Sequence, residues 1–336
     1  MSALLPAIFA SHGWDFGTYE RLTAHSDIYD RNGDWDRVTV LNSNGRSVPA
    51  PFRALHVRQW LNFGNSIRQL SNVIALALKQ GVTCIYYEEE HPFMDLASAP
   101  IGVDFIRQAR GELAEDDGLI LSGIFFFDAP YHLFHGNERQ LLIDAYLSPM
   151  LPARFRNGDP LIDNSTLTLN IRSGEIFSSF IHREYGQPPL SYYKRVVRES
   201  GADRVVVVAQ DLANPVTVPL IDFVRAQNRE LVLFIGGPDR GLEILFASMQ
   251  LAGGAGSFVW AIQSLSQRIE RYWFFDSTYD GCVPARRNVK VGRIFDRSGA
   301  YVAAVMRSNW QKLPEQLQLM TEYPEESLSS ETLADD

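Results

Sequence analysis

Lysine is scarce in this chain of 336 residues. Of its 31 basic residues, only Lys79, Lys194, Lys290 and Lys312 are lysines. Cysteine is scarcer still. Cys84 and Cys282 lie far apart and make neither a metal pattern nor a disulfide framework, so a reducing cytoplasm is the simplest compartment. A basic balance is absent as well: the formal net charge is −9. That excludes long nucleic acid as an expected partner, though not a local basic pocket for one small phosphate compound. No apolar run approaches the ~18–20 residues that span a bilayer. The apolar start, Met1 to Ala10, carries no Lys or Arg and makes a poor secretory signal. Peripheral membrane docking through a surface patch stays open.

Several fingerprints are missing too. There is no G-x-G-x-x-G and no G-x-x-x-x-G-K-[ST], so a dinucleotide-binding oxidoreductase or a P-loop enzyme has no signature here. No Ser/His/Asp or Cys/His set assembles by spacing. The segment Asp30-Arg31-Asn32-Gly33-Asp34-Trp35-Asp36 resembles a calcium loop only at first sight, because Leu41 stands where that loop needs glutamate. Asp34 and Asp36 have D-x-D spacing, but no apolar strand precedes them and Asn32-Gly33 reads as a turn. No metal site is expected.

What is present is an ordinary globular composition, 46% hydrophobic and 21% charged. At ~100–200 residues per domain the length suggests two domains. Strand-like and helix-like segments alternate, which predicts α/β architecture. In the first half Asn65–Gln80 reads as a helix, with Ile67, Leu70, Ile74 and Leu78 at helical spacing and Gly81 as its stop. Val82–Tyr87 and Leu119–Phe127 read as strands and Glu138–Tyr146 as a short helix. Pro149 and Pro152 mark a boundary. In the second half, strands are expected at Thr166–Ile171, Val205–Ala209, Leu231–Ile235 and Tyr272–Phe275. Helices are expected at 189–199, Val218–Asn228, Gly241–Gln250 and from Ser257 onward. Val291–Phe295 and Tyr301–Val305 read as a hairpin, and Gln311–Met320 as a closing helix. The division is thus an N-terminal domain over 1–155, a C-terminal domain over 156–323, and a disordered acidic, Ser-rich tail over 324–336. Two Rossmann-like domains facing a cleft would place ligands beyond the carboxyl ends of their strands.

Three loops could carry chemistry. In Asn170-Ile171-Arg172-Ser173-Gly174-Glu175, Arg172 follows an apolar strand and could fork onto a diphosphate; the plain alternative is a surface arginine paired with Glu175 or Glu184. Gly253-Gly254-Ala255-Gly256-Ser257-Phe258 opens a helix, whose free N–H groups and dipole suit an anion, with Ser257 as cap and donor. The alternative there is close packing of a turn. The loop from His182 to Pro189 offers His182 and Glu184, with Glu175 nearby, as general bases, or else is simply solvated. Glu88-Glu89-Glu90-His91 follows a strand and reads foremost as a solvated charge run.

Four blocks resemble fucosyltransferases, in family order, over residues 60–275. Phe63-Gly64-Asn65-Ser66-Ile67-Arg68-Gln69-Leu70 resembles their opening G-N-x-[x]-x-Q helix, and Leu121-Ser122-Gly123-Ile124-Phe125-Phe126-Phe127 their S-G-Y-F-Q strand. Asn170 to Glu175 is similar to H-x-R-x-G-D. The stretch from Asp239 to Trp260 is similar to their final N-S-S-F-x-W segment. The resemblance is to the α-1,2-, α-1,6- and protein O-fucosyltransferase set with related bacterial polysaccharide transferases. It implies a GT-B architecture, a nucleotide-sugar donor mainly on the second domain, a glycan acceptor towards the first, and inverting transfer without metal or other cofactor, usually from GDP-fucose. By position Arg172 would hold the β-phosphate and leaving oxygen. Ser257 and Phe258, with Gly256 in the same turn, would contact the phosphates. Asp239 and Glu243 are secondary candidates for the nucleoside, and Gly64 and Asn65 would let the first helix approach the sugar. Asn170 stands where the family has His, Glu175 where it has Asp, and Gly256 at a usual Ser position. Asn170 can still bond a base or ribose, and Glu175 keeps the charge. Glu175 or His182 is the favoured base. Another GDP- or UDP-sugar as donor, and a degenerate transferase that only binds, are the alternatives.

Overall fold

The computed structural model describes residues 27–29, 54–108, 120–126, 136–177, 186–254, 256–277, 288–306 and 309–333. The chain is α/β and divides into two compact units, Met1–Pro152 and Ala153–Asp336. The first holds strands β1 (Asp27–Tyr29), β2 (Ala54–Val57), β3 (Cys84–Tyr87), β4 (Asp104–Arg107) and β5 (Ile120–Gly123). They line up in the order β1-β5-β2-β3-β4. All neighbours run parallel except β1, which lies antiparallel to β5.

Helix α1 (Phe63–Gln80) joins β2 to β3. Its apolar stripe works as the spacing predicts: Ile67, Leu70 and Ile74 are fully buried. Gly81 stops it in the left-handed region at φ 66°, where a side chain would be strained, and the Val82 amide then bonds the Ala77 carbonyl at 2.9 Å. The same helix buries Ser66, Gln69, Ser71 and Asn72. Buried amides need partners, and here those are loop backbones. Gln69 Nε2 donates to the carbonyls of Gln59 (3.1 Å) and Ile124 (2.5 Å), while its Oε1 accepts from the Leu61 amide (2.9 Å). Asn72 Nδ2 donates to the carbonyl of Phe125, which itself has φ 55°. Helix α2 (Gly136–Leu142) continues as a π-helical turn over Ile143–Leu147.

The second unit carries β6 (Thr166–Ile171), β7 (Arg204–Ala209), β8 (Glu230–Ile235), β9 (Gln250–Gly253), β10 (Arg271–Asp276), β11 (Lys290–Asp296) and β12 (Leu328–Leu333). Their order is β12-β11-β10-β9-β6-β7-β8. Only β12 is antiparallel. After the short α3 (Ala153–Arg156), the connecting helices are α4 (Leu190–Ser200), α5 (Thr217–Ala226), α6 (Pro238–Ala247) and α7 (Ser257–Leu265). The chain steps outward through β6, β7 and β8, then returns to lay β9, β10 and β11 on the other side of β6. That is doubly wound topology, with its switch point between β6 and β9. Leu167, Leu169 and Ile171 of β6 pack with Tyr192, Tyr193, Val196 and Val197 of α4 in one buried cluster.

Three expectations need correction. The tail is not disordered over its described length: β12 pairs with β11 from Asp296↔Leu328 to Val291↔Leu333. Arg195 Nη1 donates to the Leu328 carbonyl at 3.0 Å, Arg198 pairs with Glu325, and Arg293 reaches Glu331 at 2.6 Å. Arginines on α4 and β11 thus absorb the acidic charge that suggested disorder. Tyr301–Val305 is not the second arm of a hairpin but lies in helix α8 (Ala300–Val305). Asp296 Oδ2 accepts from the Tyr301 amide at 2.7 Å and Ser298 Oγ from the Ala300 amide at 3.2 Å, so the turn residues start a helix. A closing helix, α9 (Pro314–Glu322), follows. Finally, Gln250 ends no helix: α6 stops at Ala247, and Gln250–Gly253 is strand β9.

Candidate functional site

The carboxyl ends of β6 and β9 are neighbours, with Leu169 paired to Ala252. The β6 strand runs into Arg172, and β9 runs into the glycine-rich turn before α7. Two loops separated by about 80 residues of sequence therefore leave from adjacent strands at the switch point.

The α7 side depends on close approach. A Cβ on Gly253 would fall 2.7 Å from one methyl of Val259 and 2.9 Å from the other, so the helix packs directly on the strand backbone. Gly256 is the helix N-cap at φ 125°, a region closed to L side chains. Ser257 is therefore the first helical residue and not the cap. The first-turn N–H groups of a helix have no intrahelical partner and carry partial positive charge. Ser257 and Phe258 are half-buried there. Tyr192 fixes the strand ends below: its hydroxyl lies 3.0 Å from both the Gly253 and the Trp273 carbonyls, with its one hydrogen shared between them.

The β6 side is braced by the loop after β7. Ser173 Oγ donates to Asp211 Oδ1 and accepts from the Asn214 amide at 3.1 Å. Asn214 Nδ2 donates to the Arg172 carbonyl at 2.7 Å, and its Oδ1 accepts from the Val216 amide at 2.9 Å. Ser173 and Asn214 are buried, and Arg172 is half-buried. Gly174 has φ 65°, and the Gln210 amide fills the space a Cβ would need. Asn170, 9% exposed, sits one step beyond the Leu169–Ala252 pair, beside Gly253. Lateral neighbours in a parallel sheet point to the same face, so Asn170 lies on the face that α7 covers.

The remaining expected residues are spread more widely. Glu175 lies in the 3-10 turn Gly174–Phe177, which begins two residues after Arg172. His182 lies outside the described residues. Asp239 is exposed in the first turn of α6, after β8, which is two places from β6 in the sheet. Glu243 is bound to Arg240 at 2.8 Å, and Arg240 also meets buried Asp159 at 2.5 Å. These bonds, led by that to Glu243, raise the Arg240 pKa. Gly64 and Asn65 open α1 in the first unit, at the switch point between β2 and β5. Gln69 ties together the loops that leave those two strands.

The Glu88–His91 run is not wholly a solvated charge run. His91 is buried, accepts at Nδ1 from the Phe93 and Met94 amides at 3.1 Å each, and meets the Trp60 ring at 4.7 Å. Burial depresses its pKa to about 3. Glu88 lies 3.4 Å from buried His56, whereas Glu90 forms an exposed pair with Arg107. Among the described residues no group of three or more His, Cys, Asp or Glu is placed to hold a metal, and no helix is long and apolar enough to cross a membrane.

Sequence reasoning passed over Asp211, Asn214, Gln210 and Tyr192. The signal for the first two was legible: Asp211-Leu212-Ala213-Asn214-Pro215 sets two Asx residues before a proline, a loop-forming pattern.

No family model and no curated protein matches the chain. Among solved structures it is similar to a glycosyl transferase of family 9 from Veillonella parvula DSM 2008, at 8% identity and a TM-score of 0.40, over 82% of this chain and 98% of that one. A likeness this loose carries no function.

Proposed function

We propose that the chain is a glycosyltransferase that moves a sugar from a nucleoside diphosphate to a hydroxyl of a glycan acceptor. GDP-fucose is the first-choice donor, following the resemblance of the four sequence blocks. The observation that supports this reading is that the loop carrying Arg172 and the loop opening α7 leave adjacent strand ends of a doubly wound sheet. In sugar transfer the bond from the anomeric carbon to the β-phosphate oxygen breaks, and negative charge gathers on the departing diphosphate. Arg172 supplies a guanidinium to that oxygen, and the Gly256-Ser257-Phe258 turn supplies N–H groups and a hydroxyl. Two fixed donors of one unit stabilise the leaving group without a metal. The acceptor oxygen attacks from the opposite face and inverts the centre, and its proton passes to Glu175 or His182. Asn170 is assigned to the base or ribose; Gly64 and Asn65, in the first unit, are the candidates for the acceptor.

The test is a thermal-shift screen of GDP, UDP and ADP, repeated with Arg172→Ala, together with a transfer assay. A ligand that binds the folded state raises the melting temperature by mass action. The expected result is stabilisation by GDP that falls at least ~tenfold in apparent affinity in the variant, as loss of a charge-assisted bond requires. Stabilisation by UDP or ADP instead keeps the transferase and discards fucose. Binding without turnover supports the degenerate binder. No response to any nucleotide refutes the reading.

A further inference from the structure

We propose that Asn214 is a positioning residue for Arg172: it acts on nucleotide binding through the Arg172 backbone and touches no ligand itself. This rests on the diphosphate-binding role of Arg172 given above. The amide of Asn214 is buried, and both its ends are used. Nδ2 donates to the Arg172 carbonyl at 2.7 Å, while Oδ1 accepts from the Val216 amide at 2.9 Å. The first bond crosses from the β7 loop to the β6 loop; the second stays within the Asn214 turn. Alongside it, Ser173 Oγ accepts from the Asn214 backbone amide at 3.1 Å and donates to Asp211 Oδ1, which also accepts from the Ala213 amide at 2.9 Å. Arg172 and Ser173 are therefore held, one after the other, by a neighbouring loop that is itself closed by its own Asx bonds.

A long arginine side chain binds a diphosphate tightly only where its Cα is already fixed, because ordering the loop would otherwise be charged against binding. Gly174 adds to this rigidity. At φ 65° it turns the chain sharply, and the Gln210 side chain occupies the room its missing Cβ leaves. The arginine accordingly departs from a backbone with one available course. Nothing in this arrangement depends on which nucleoside the diphosphate carries.

Asn214→Asp tests this role, with the melting temperature reporting the cost of the carboxylate it buries. It keeps the Oδ1 acceptor for Val216 and almost the same volume, but replaces the donor at the Arg172 carbonyl with an oxygen. Ser173→Ala is a second variant that loosens the same bridge from the other side. GDP binding is measured by titration calorimetry on wild type, Arg172→Ala, Asn214→Asp and the double variant, with melting temperatures recorded in parallel. The expected result is a loss of roughly tenfold in GDP affinity for Asn214→Asp alone. In the Arg172→Ala background the same change should then cost less than ~twofold, since residues acting through one another are not additive. Ser173→Ala should weaken binding in the same direction. The proposal is overturned if Asn214→Asp binds GDP as wild type does, or if its loss is equal in both backgrounds. The parent reading fails separately, and takes the proposal with it, if wild type binds no nucleotide or if Arg172→Ala leaves affinity unchanged.

Discussion

Gly253→Ala tests how closely α7 must lie on β9. The added methyl would sit 2.7 Å and 2.9 Å from the two methyls of Val259. Carbon atoms in contact prefer ~3.5–4.0 Å, so strand and helix must part by on the order of 1 Å. Overpacking of this kind costs about 1–3 kcal/mol. Against it stands a gain of about 0.4–1 kcal/mol, because alanine leaves the unfolded chain less freedom than glycine. Gly253 is outside the positive-φ set, so no backbone strain is added. The net expectation runs from near zero to a destabilisation of about 2.5 kcal/mol, so the coupling to Val259 is the sharper readout. Val259→Ala alone removes buried methyls and destabilises as well. Combined, the two changes should exchange volume: the new Cβ enters the space that Val259 vacates. The double variant should thus be more stable than the sum of the singles by at least about 0.5 kcal/mol. Urea denaturation reads this directly, since Trp260 lies on α7 and Trp273 on β10, both buried. Under the proposed function, nucleotide affinity should also drop in Gly253→Ala and recover in the double variant, because the helix end assigned there to the phosphates moves with the packing. A Gly253→Ala protein as stable as wild type, with no coupling to Val259, would refute the close-approach reading.

Two further outcomes are expected. His91 has a depressed pKa, about 3 when folded against about 6.5 unfolded, so the unfolded chain binds the extra proton between these values. Its contribution is fully present above about pH 6.5 and falls as pH drops, by at most about 1.4 kcal/mol per unit. His91→Asn, whose Oδ1 can replace Nδ1 as acceptor, should flatten that pH dependence in denaturation at pH 5 and pH 7.5; an unchanged slope counts against it. Ending the chain after Tyr323 removes β12 and the tail groups bound by Arg195, Arg198 and Arg293, leaving Arg293 only Asp276 of its two carboxylates, so differential scanning fluorimetry should show a clear loss of melting temperature. An unaltered melt would mean that the tail contributes no stability.

The long-period signals were legible. Helix α1 declared itself through its apolar stripe and terminal glycine, and β6 through the run Thr166–Ile171, which is buried throughout. What escaped was decided by tertiary context. The segment Gln250-Leu251-Ala252-Gly253 has little intrinsic strand preference and becomes β9 because β6 and β10 flank it. The Tyr301–Val305 stretch has strand-like composition, yet Asp296 and Ser298 start it as a helix and bury Tyr301 and Val305 on one side. Arg172 and Ser257 stood out as loop residues after apolar segments. That their loops leave adjacent strands, and that Asn214 braces one of them, depends on sheet order, which no local pattern carries.

The bonds of Gln69 have a mechanical consequence for the first unit. One side chain grips Gln59 and Leu61 in the loop after β2 and Ile124 in the loop after β5. Neither loop can swing outward alone without leaving a buried amide unsatisfied, a cost of about 1–3 kcal/mol. The two loops are thereby geared together. Displacing either loop alone breaks bonds to a side chain that also holds the other, so movement of the two about α1 is favoured as a unit.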